Sequence, residues 1–287
     1  MSYLNEFKIK FTNIRVTDMP DKEYFAIPAL STSKLKLLDP SHGGSIEKYN
    51  EGFSSKYNAA LELGSAIHNA ILSPDEYIIS DYICPVSAKL KLFIECLAKY
   101  RKNPETRKSA LLLASEEADY YQGKLTDKVK LNAYKKGKDY YRRLMRGDFT
   151  AENNNGKVVM VLDEKLHTAW EESVKNLKED YMFRKLMNNV PFEEEKEIIN
   201  EMAFFCDIEV TFPDKSTYIV PYKGKADNII LDHEHKICYL NDIKTTSKGI
   251  GYFMPKVVED VCYSGTFEHH DYYMQLAKLI GPLDWEI

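Results

Sequence analysis

Hydrophobic and polar positions recur at two different spacings along this chain, and the change falls near residue 192. From Ser31 to about 190 the apolar residues return every three or four positions, the period of a helix with one buried face. That spacing predicts helices over 33–38, 57–72, 87–101, 105–121, 125–146 and 163–188. Pro74, Pro85 and Pro104 punctuate them, residues 153–156 (NNNG) mark a loop, and Asp163 stands where a helix cap is expected. Beyond Pro191 the pattern alternates, so strands are expected over 201–212 and 217–222, with Pro213, Asp214 and Lys215 as the turn between them. A hairpin follows over 223–246, with its turn in Asp232-His233-Glu234-His235, and a last helix is expected over 267–280. No internal repeat or low-complexity segment interrupts this order.

Helices, then a sheet, then a helix predict an α/β chain. We read one domain over 1–287, with a mainly helical part at about 28–190 and a sheet-bearing part at about 191–287. At 287 residues the chain can bury a large core.

The chemistry concentrates in the hairpin. Residues two apart in a strand share a face, so Asp242 and Lys244 project together, and the hairpin can bring Asp227 beside them. On a solvated strand edge a D-x-K tripeptide is ordinarily a surface ion pair. Here Ile229, Ile230 and Leu231 precede the turn and Ile237, Tyr239, Leu240 and Ile243 follow it, so the charges sit among apolar neighbours. Charges there are costly unless paired or bound to a metal. Two carboxylates and a lysine at a strand end suit metal-assisted phosphodiester hydrolysis: the carboxylates hold a hard cation, and the ammonium offsets charge or helps deprotonate water.

These residues resemble the PD-(D/E)xK nucleases, in particular the RecB-like branch with the RecE-type (exonuclease VIII) and phage recombination exonucleases. Gly224-Lys225-Ala226-Asp227 resembles the family's G-x-x-D element, and Asp242-Ile243-Lys244-Thr245-Thr246 its D-x-K-T element. Upstream, the helix carrying Gly64 and His68 is similar to the G-x-x-x-H helix, whose histidine joins the metal site. Ser31-Thr32-Ser33-Lys34-Leu35 resembles the S-x-S-x-L start, and Tyr272-Tyr273-Met274-Gln275-Leu276-Ala277 part of the Q-x-x-x-Y helix. The tyrosine expected four residues after Gln275 is Leu279, a departure that touches the DNA-contacting role of that helix. The end at Ile287, soon after that helix, is read as a short enzyme or a truncated sequence.

The resemblance implies a restriction-endonuclease-like core, a mixed central sheet flanked by helices, with a helical N-terminal elaboration. It implies Mg²⁺, or Mn²⁺ in its place, held by His68, Asp227, Asp242 and the carbonyl of Ile243. Lys244 would act on the attacking water, and Glu201 is the further carboxylate of the catalytic set. Glu209, eight residues on and of the same strand parity, competes with it. Gln275, Tyr272, Ser31, Ser33, Lys225 and Thr245 are the expected contacts to DNA. The implied activity is a 5′-to-3′ exonuclease on double-stranded DNA ends in phage-type recombination or replication. Its expected partner is a single-strand annealing protein, with a homo-oligomeric ring as the form such enzymes tend to take. The alternatives are an endonuclease of the same fold, structure-specific or of the CRISPR-adaptation kind, and a catalytically silent DNA-binding scaffold.

Composition adds limits. Hydrophobic residues at 44% and charged residues at 29% are ordinary globular values. No apolar run approaches the roughly 18 residues of a membrane span, and no apolar leader opens the chain. The five cysteines are widely spaced, which argues against a disulfide framework and an iron–sulfur cluster and fits a reducing cytoplasm, that of a bacterial or phage-infected cell if the resemblance holds. A net charge of −5 is unlike a DNA-binding protein, but phosphate binding depends on local charge. Lys124, Lys128, Lys130, Lys135, Lys136, Lys138, Arg142, Arg143 and Arg146 form a basic stretch, read either as a solvated helix face or as a phosphate-tracking surface. His233 and His235 are expected in a solvated turn, and His269-His270-Asp271 lies near enough to Gln275 in sequence to touch DNA.

Overall fold

The structure is a computed structural model that describes residues 8–31, 34, 35, 37, 38, 40, 43–52, 58–86, 88–120, 126–188, 196–241, 243 and 245. Its elements in chain order are β1 (Lys8–Thr17), α1 (Asp21–Ala26), α2 (Ile46–Glu51), α3 (Ala59–Leu72), β2 (Tyr77–Ile79), α4 (Ala88–Lys102), α5 (Ala110–Glu117) and α6 (Asp127–Arg146). They continue with β3 (Val158–Met160), α7 (Glu164–Glu179), α8 (Tyr181–Asn188), β4 (Lys196–Thr211), β5 (Thr217–Asp232) and β6 (Ile237–Asn241). The chain is α/β, as expected. It forms two compact units, one of Met1–Phe53 with Asp180–Ile287, the other of Ser54–Glu179.

The first unit is built on a four-stranded sheet in the order β1-β4-β5-β6. The named strands of this sheet all pair antiparallel, and Leu30 adds an isolated parallel bridge to Tyr222 of β5. Its centre is the β4–β5 hairpin, which pairs Lys196–Thr211 with Thr217–Asp232, and the turn falls where Pro213, Asp214 and Lys215 predict it. Asp214 Oδ1 closes that turn by accepting from the Ser216 amide at 2.9 Å and the Ser216 hydroxyl at 2.6 Å. The β5–β6 turn falls at His233–Lys236, one residue later than the expected Asp232–His235, because Asp232 still pairs with Ile237. Strand β1 pairs with β4 around a bulge between Thr12 and Arg15. Asn13 occupies it at φ 52°, a conformation asparagine tolerates better than most residues, and its amide donates to Asp207 at 2.7 Å.

Both faces of this sheet carry apolar residues. Phe204, Cys206 and Tyr222 are buried together with Phe11, Val16 and Ile208 packed on them. On the other face Tyr24 of α1 meets Ala203 and Phe205. Lys223 fixes α1 there: its ammonium donates to the Tyr24 and Ile27 carbonyls at 2.7 and 2.8 Å, at the helix C-terminal end where a cation is favoured. Burial, and secondarily the Lys34 charge, push Lys223 below the ordinary lysine pKa.

A ladder of asparagines crosses β4, β5 and β6. Asn228 is fully buried, donates to Asn200 Oδ1 at 2.7 Å and the Met187 carbonyl at 2.9 Å, and accepts from Asn241 at 2.8 Å. Asn241 also donates to the Leu186 carbonyl at 2.6 Å. The ladder satisfies carbonyls that the last turn of α8 cannot bond itself.

The second unit is helical apart from the short parallel pair β2–β3. Phe93, Ile94, Ala133 and Tyr140 form its main core with Cys84 and Cys96. Ala66 of α3 packs with Leu162 and Leu166 in another cluster. Asp163 caps α7 as expected, accepting from the Leu166 amide at 3.0 Å. Lys91 is buried against Glu62 and Glu95. Burial alone would lower its pKa, but the two carboxylates outweigh that and raise it.

Several boundaries differ from the spacing. The stretch expected as one helix over 163–188 breaks at Asp180, whose carboxylate accepts from the Phe183 amide at 2.6 Å and so starts α8. The helix expected over 105–121 starts only at Ala110, after turns at 104–109. Strands β1, β2 and β3 and helix α1 were not read from the sequence. The terminal helix expected over 267–280 lies outside the described residues. Among the described residues no helix is long and apolar enough to cross a membrane, and Cys84, Cys96, Cys206 and Cys238 are buried and in no disulfide.

Candidate functional site

The middle of the β4–β5 hairpin brings two of the expected carboxylates together. Asn200 pairs with Asn228 and Met202 with Ala226, so Glu201 and Asp227 fall opposite one another. Cross-strand partners point to the same side of a sheet, and each residue presents a carboxylate oxygen within 4.8 Å of the other's. Both are half-buried. Glu201 has φ 57°, a left-handed conformation uncommon for a residue other than glycine and foreign to a strand. Local strain of this kind costs on the order of 1–3 kcal/mol, so the surrounding ladder has to hold it in place. Glu209, the competing carboxylate, lies eight residues along β4, roughly 26 Å at strand rise, too far to share a site with Asp227.

Two further contacts define the pair. The Ile243 amide donates to Asp227 Oδ2 at 2.8 Å. The backbone at the centre of Asp242-Ile243-Lys244 is thereby brought to Asp227, as the hairpin reading expects. Lys225 shares the face of Asp227, two residues away, and forms ion pairs with Glu201 and with Asp21 of α1, the latter at 2.5 Å. Burial alone would lower its pKa, but the hydrogen bonds and charges of Asp21 and Glu201 outweigh it and raise it above the ordinary value. Lys225, expected to meet DNA, is thus engaged by two carboxylates with its side chain 16% exposed.

Gly224, the glycine of the G-x-x-D element, has a packing role. It pairs with Phe204, and a Cβ built on it would stand 2.1 Å from the Phe204 ring. That ring crosses the strand only because no side chain is present.

His68 lies on α3 in the second unit. Asn58 caps that helix by accepting from the Ala60 amide at 3.0 Å, and Ala66 and Leu63 face the α7 cluster. Two residues past Ala66, His68 is turned roughly 200° around the helix axis from that core face. It is half-buried.

Ser31 is half-buried, and its hydroxyl accepts from the Lys34 amide at 3.4 Å. The preceding Leu30 is bonded to β5 through the Pro221 carbonyl and the Lys223 amide, both at 2.8 Å. Thr245 is exposed. His233 sits beside Glu197, and His235 beside Asp232, in the expected polar turn. Asp242, Lys244, Ser33, Tyr272 and Gln275, with His269 and His270, lie outside the described residues.

Sequence reasoning missed Asp21. Its signal was present: an acidic residue directly after Pro20, opening a short helix, is a common helix start. What spacing could not supply was its contact with Lys225, which lies 204 residues away.

Chemically, two half-buried carboxylates on adjacent strands, with a backbone amide on one and an ammonium on the other, can bind a hard cation or hold a proton between them. No protein-family model, no curated protein and no solved structure matches the chain.

Proposed function

We propose that the chain is a metal-dependent deoxyribonuclease that hydrolyses phosphodiester bonds. The observation that carries this reading is the Glu201–Asp227 pair with the Ile243 amide on Asp227, which joins the G-x-x-D and D-x-K elements at one point of the sheet. The strained backbone of Glu201 adds support, because such strain tends to collect at functional sites.

The donor set fits a hard divalent cation: the carboxylates of Glu201 and Asp227, with Asp242, the Ile243 carbonyl and His68 added by the family resemblance. Oxygen donors with one imidazole suit Mg²⁺ or Mn²⁺. Such a cation, when bound, would polarise the phosphate and lower the pKa of a bound water. The chain's own residues have distinct tasks. Asp227 is oriented by the Ile243 amide. Lys225 holds Glu201 in place and compensates the charge of the carboxylate pair. Lys244 would orient the attacking water and offset charge developing on the phosphate.

Within this class the resemblance favours a 5′-to-3′ exonuclease on double-stranded ends, working with a single-strand annealing protein and as a homo-oligomer. The test is digestion of end-labelled linear duplex and supercoiled plasmid with Mg²⁺ or Mn²⁺, comparing wild type with Asp227→Asn and Lys244→Ala. Progressive loss of linear DNA, spared circles and inactive variants are expected. Nicked circles would make it an endonuclease instead, and an intact substrate under both metals would end the nuclease reading.

A further inference from the structure

The basic stretch becomes a surface once α6 is folded. Lys128, Asn132, Lys135, Asp139, Arg142 and Arg146 are exposed at alternating steps of four and three, a single line along the helix, with Lys136 beside it. From 128 to 146 that line runs roughly 27 Å at helical rise. Asp139 and Asp148 bind Arg143 and Arg146, whereas Lys135, Lys136, Lys138 and Arg142 enter no ion pair among the described residues. The opposite side of α6 is fixed in the core through Ala133 and Tyr140. At Gly137 a Cβ would stand 1.9 Å from Ile94 Cδ1, so α6 lies close against α4.

Beside the cationic line a groove of about 350 Å³ opens between α4, α5 and α6. Phe93, Leu97, Leu111 and Tyr141 give it an apolar floor, and Arg101 and Lys138 stand among its lining residues. Tyr134, also in the lining, is 51% exposed, with the Lys138 ammonium 5.6 Å from its ring centroid.

We propose that this face of α6 binds single-stranded nucleic acid, with phosphates along Lys135, Lys138 and Arg142 and a base stacked on Tyr134 at the groove. Charge complementarity is local: a chain of net charge −5 gathers uncompensated cations on one helix face. The exposed ring and apolar slot next to that line match the alternation of base and phosphate in an unpaired strand. An acidic protein would use the cations but would not need the ring. The proposal deepens the nuclease reading, on which it rests for the presence of an unpaired strand. The binding itself needs no hydrolysis.

The test is fluorescence anisotropy of a labelled mixed-sequence DNA oligonucleotide, single-stranded and as duplex, in EDTA across a salt series. The variants are Lys135→Gln/Lys138→Gln/Arg142→Gln, Tyr134→Ala and Tyr134→Phe, with circular dichroism to establish that each is folded. For the triple variant we expect at least about tenfold weaker binding and a shallower salt dependence, its log–log slope falling by about 2 for three lost phosphate contacts. Tyr134→Ala should weaken single-strand binding about tenfold while Tyr134→Phe preserves it. A wild type that does not bind, or a triple variant with unchanged affinity and slope, overturns the proposal. Unchanged binding by Tyr134→Ala, or an equal loss on duplex, overturns the single-strand assignment. Because EDTA prevents cutting, failure of the nuclease reading appears separately, as an uncut substrate with this binding intact.

Discussion

Asp227 accepts a hydrogen bond from the Ile243 amide at 2.8 Å, which ties the middle of β5 to the backbone just beyond β6. This bond occupies Oδ2 and fixes the carboxylate plane, so the charge of Asp227 is presented in one direction. Replacing Asp227 by Asn keeps the shape but removes the charge. Hydrolysis of DNA should fall at least about 100-fold, beyond the usual range for losing a residue that merely supports a metal ligand. Wild type should show a rise in Tm with Mn²⁺ that the variant lacks. An equal rise in both would place the cation elsewhere.

Gly224→Ala tests the close approach of Phe204. The added methyl would meet the ring at 2.1 Å, and neither the ring nor the central strands can move aside freely. We expect a loss of about 1–3 kcal/mol by chemical denaturation, the range for overpacking a core. Adding Phe204→Leu should recover part of it. A neutral Gly224→Ala would mean that the ring has another place to lie.

Asn228→Ala removes a donor and acceptor from a buried network. The Met187 carbonyl, Asn200 and Asn241 would each lose a partner, and the methyl group offers none. Unsatisfied buried groups cost roughly 1–3 kcal/mol each, so a loss of about 2–4 kcal/mol is expected, with faster amide hydrogen exchange in α8. Unchanged exchange there would show that α8 does not depend on the ladder.

Lys225 predicts an alkaline weakness. Its pKa is raised in the folded state, so the fold binds that proton more tightly than the unfolded chain does. The resulting stability is complete below the ordinary lysine value of 10.5 and is lost as pH rises through the higher folded value. Tm should decline in that window, and Lys225→Met should lower Tm near neutral pH while flattening the decline. An unaltered decline would assign it to other groups.

Much of the architecture was legible. The switch from a three-to-four period to alternation marked where helices give way to the β4–β5–β6 sheet, because a buried face repeats with the geometry of its element. The Pro213–Lys215 and His233–Lys236 turns and the Asp163 cap were readable because turns and caps depend on residues adjacent in the chain. That a short hairpin brings Asp227 to the 242–244 segment was legible for the same reason, whereas the Ile243 amide as its donor was not.

By itself, the sequence determined the local periods, the turns and the supply of carboxylates and cations. It did not determine which strands would flank the hairpin. Strand β1, nearly 200 residues from its partner β4, lacked a local signal strong enough to outweigh alternative pairings, and parallel or antiparallel order is decided only when strands meet. Tertiary structure alone placed Asp21 against Lys225 and forced Glu201 into a left-handed conformation opposite Asp227. The physical reason is common to both. Contacts between distant segments, and strain held by a surrounding ladder, arise from burial and register in the assembled fold, and no window of neighbouring residues encodes them.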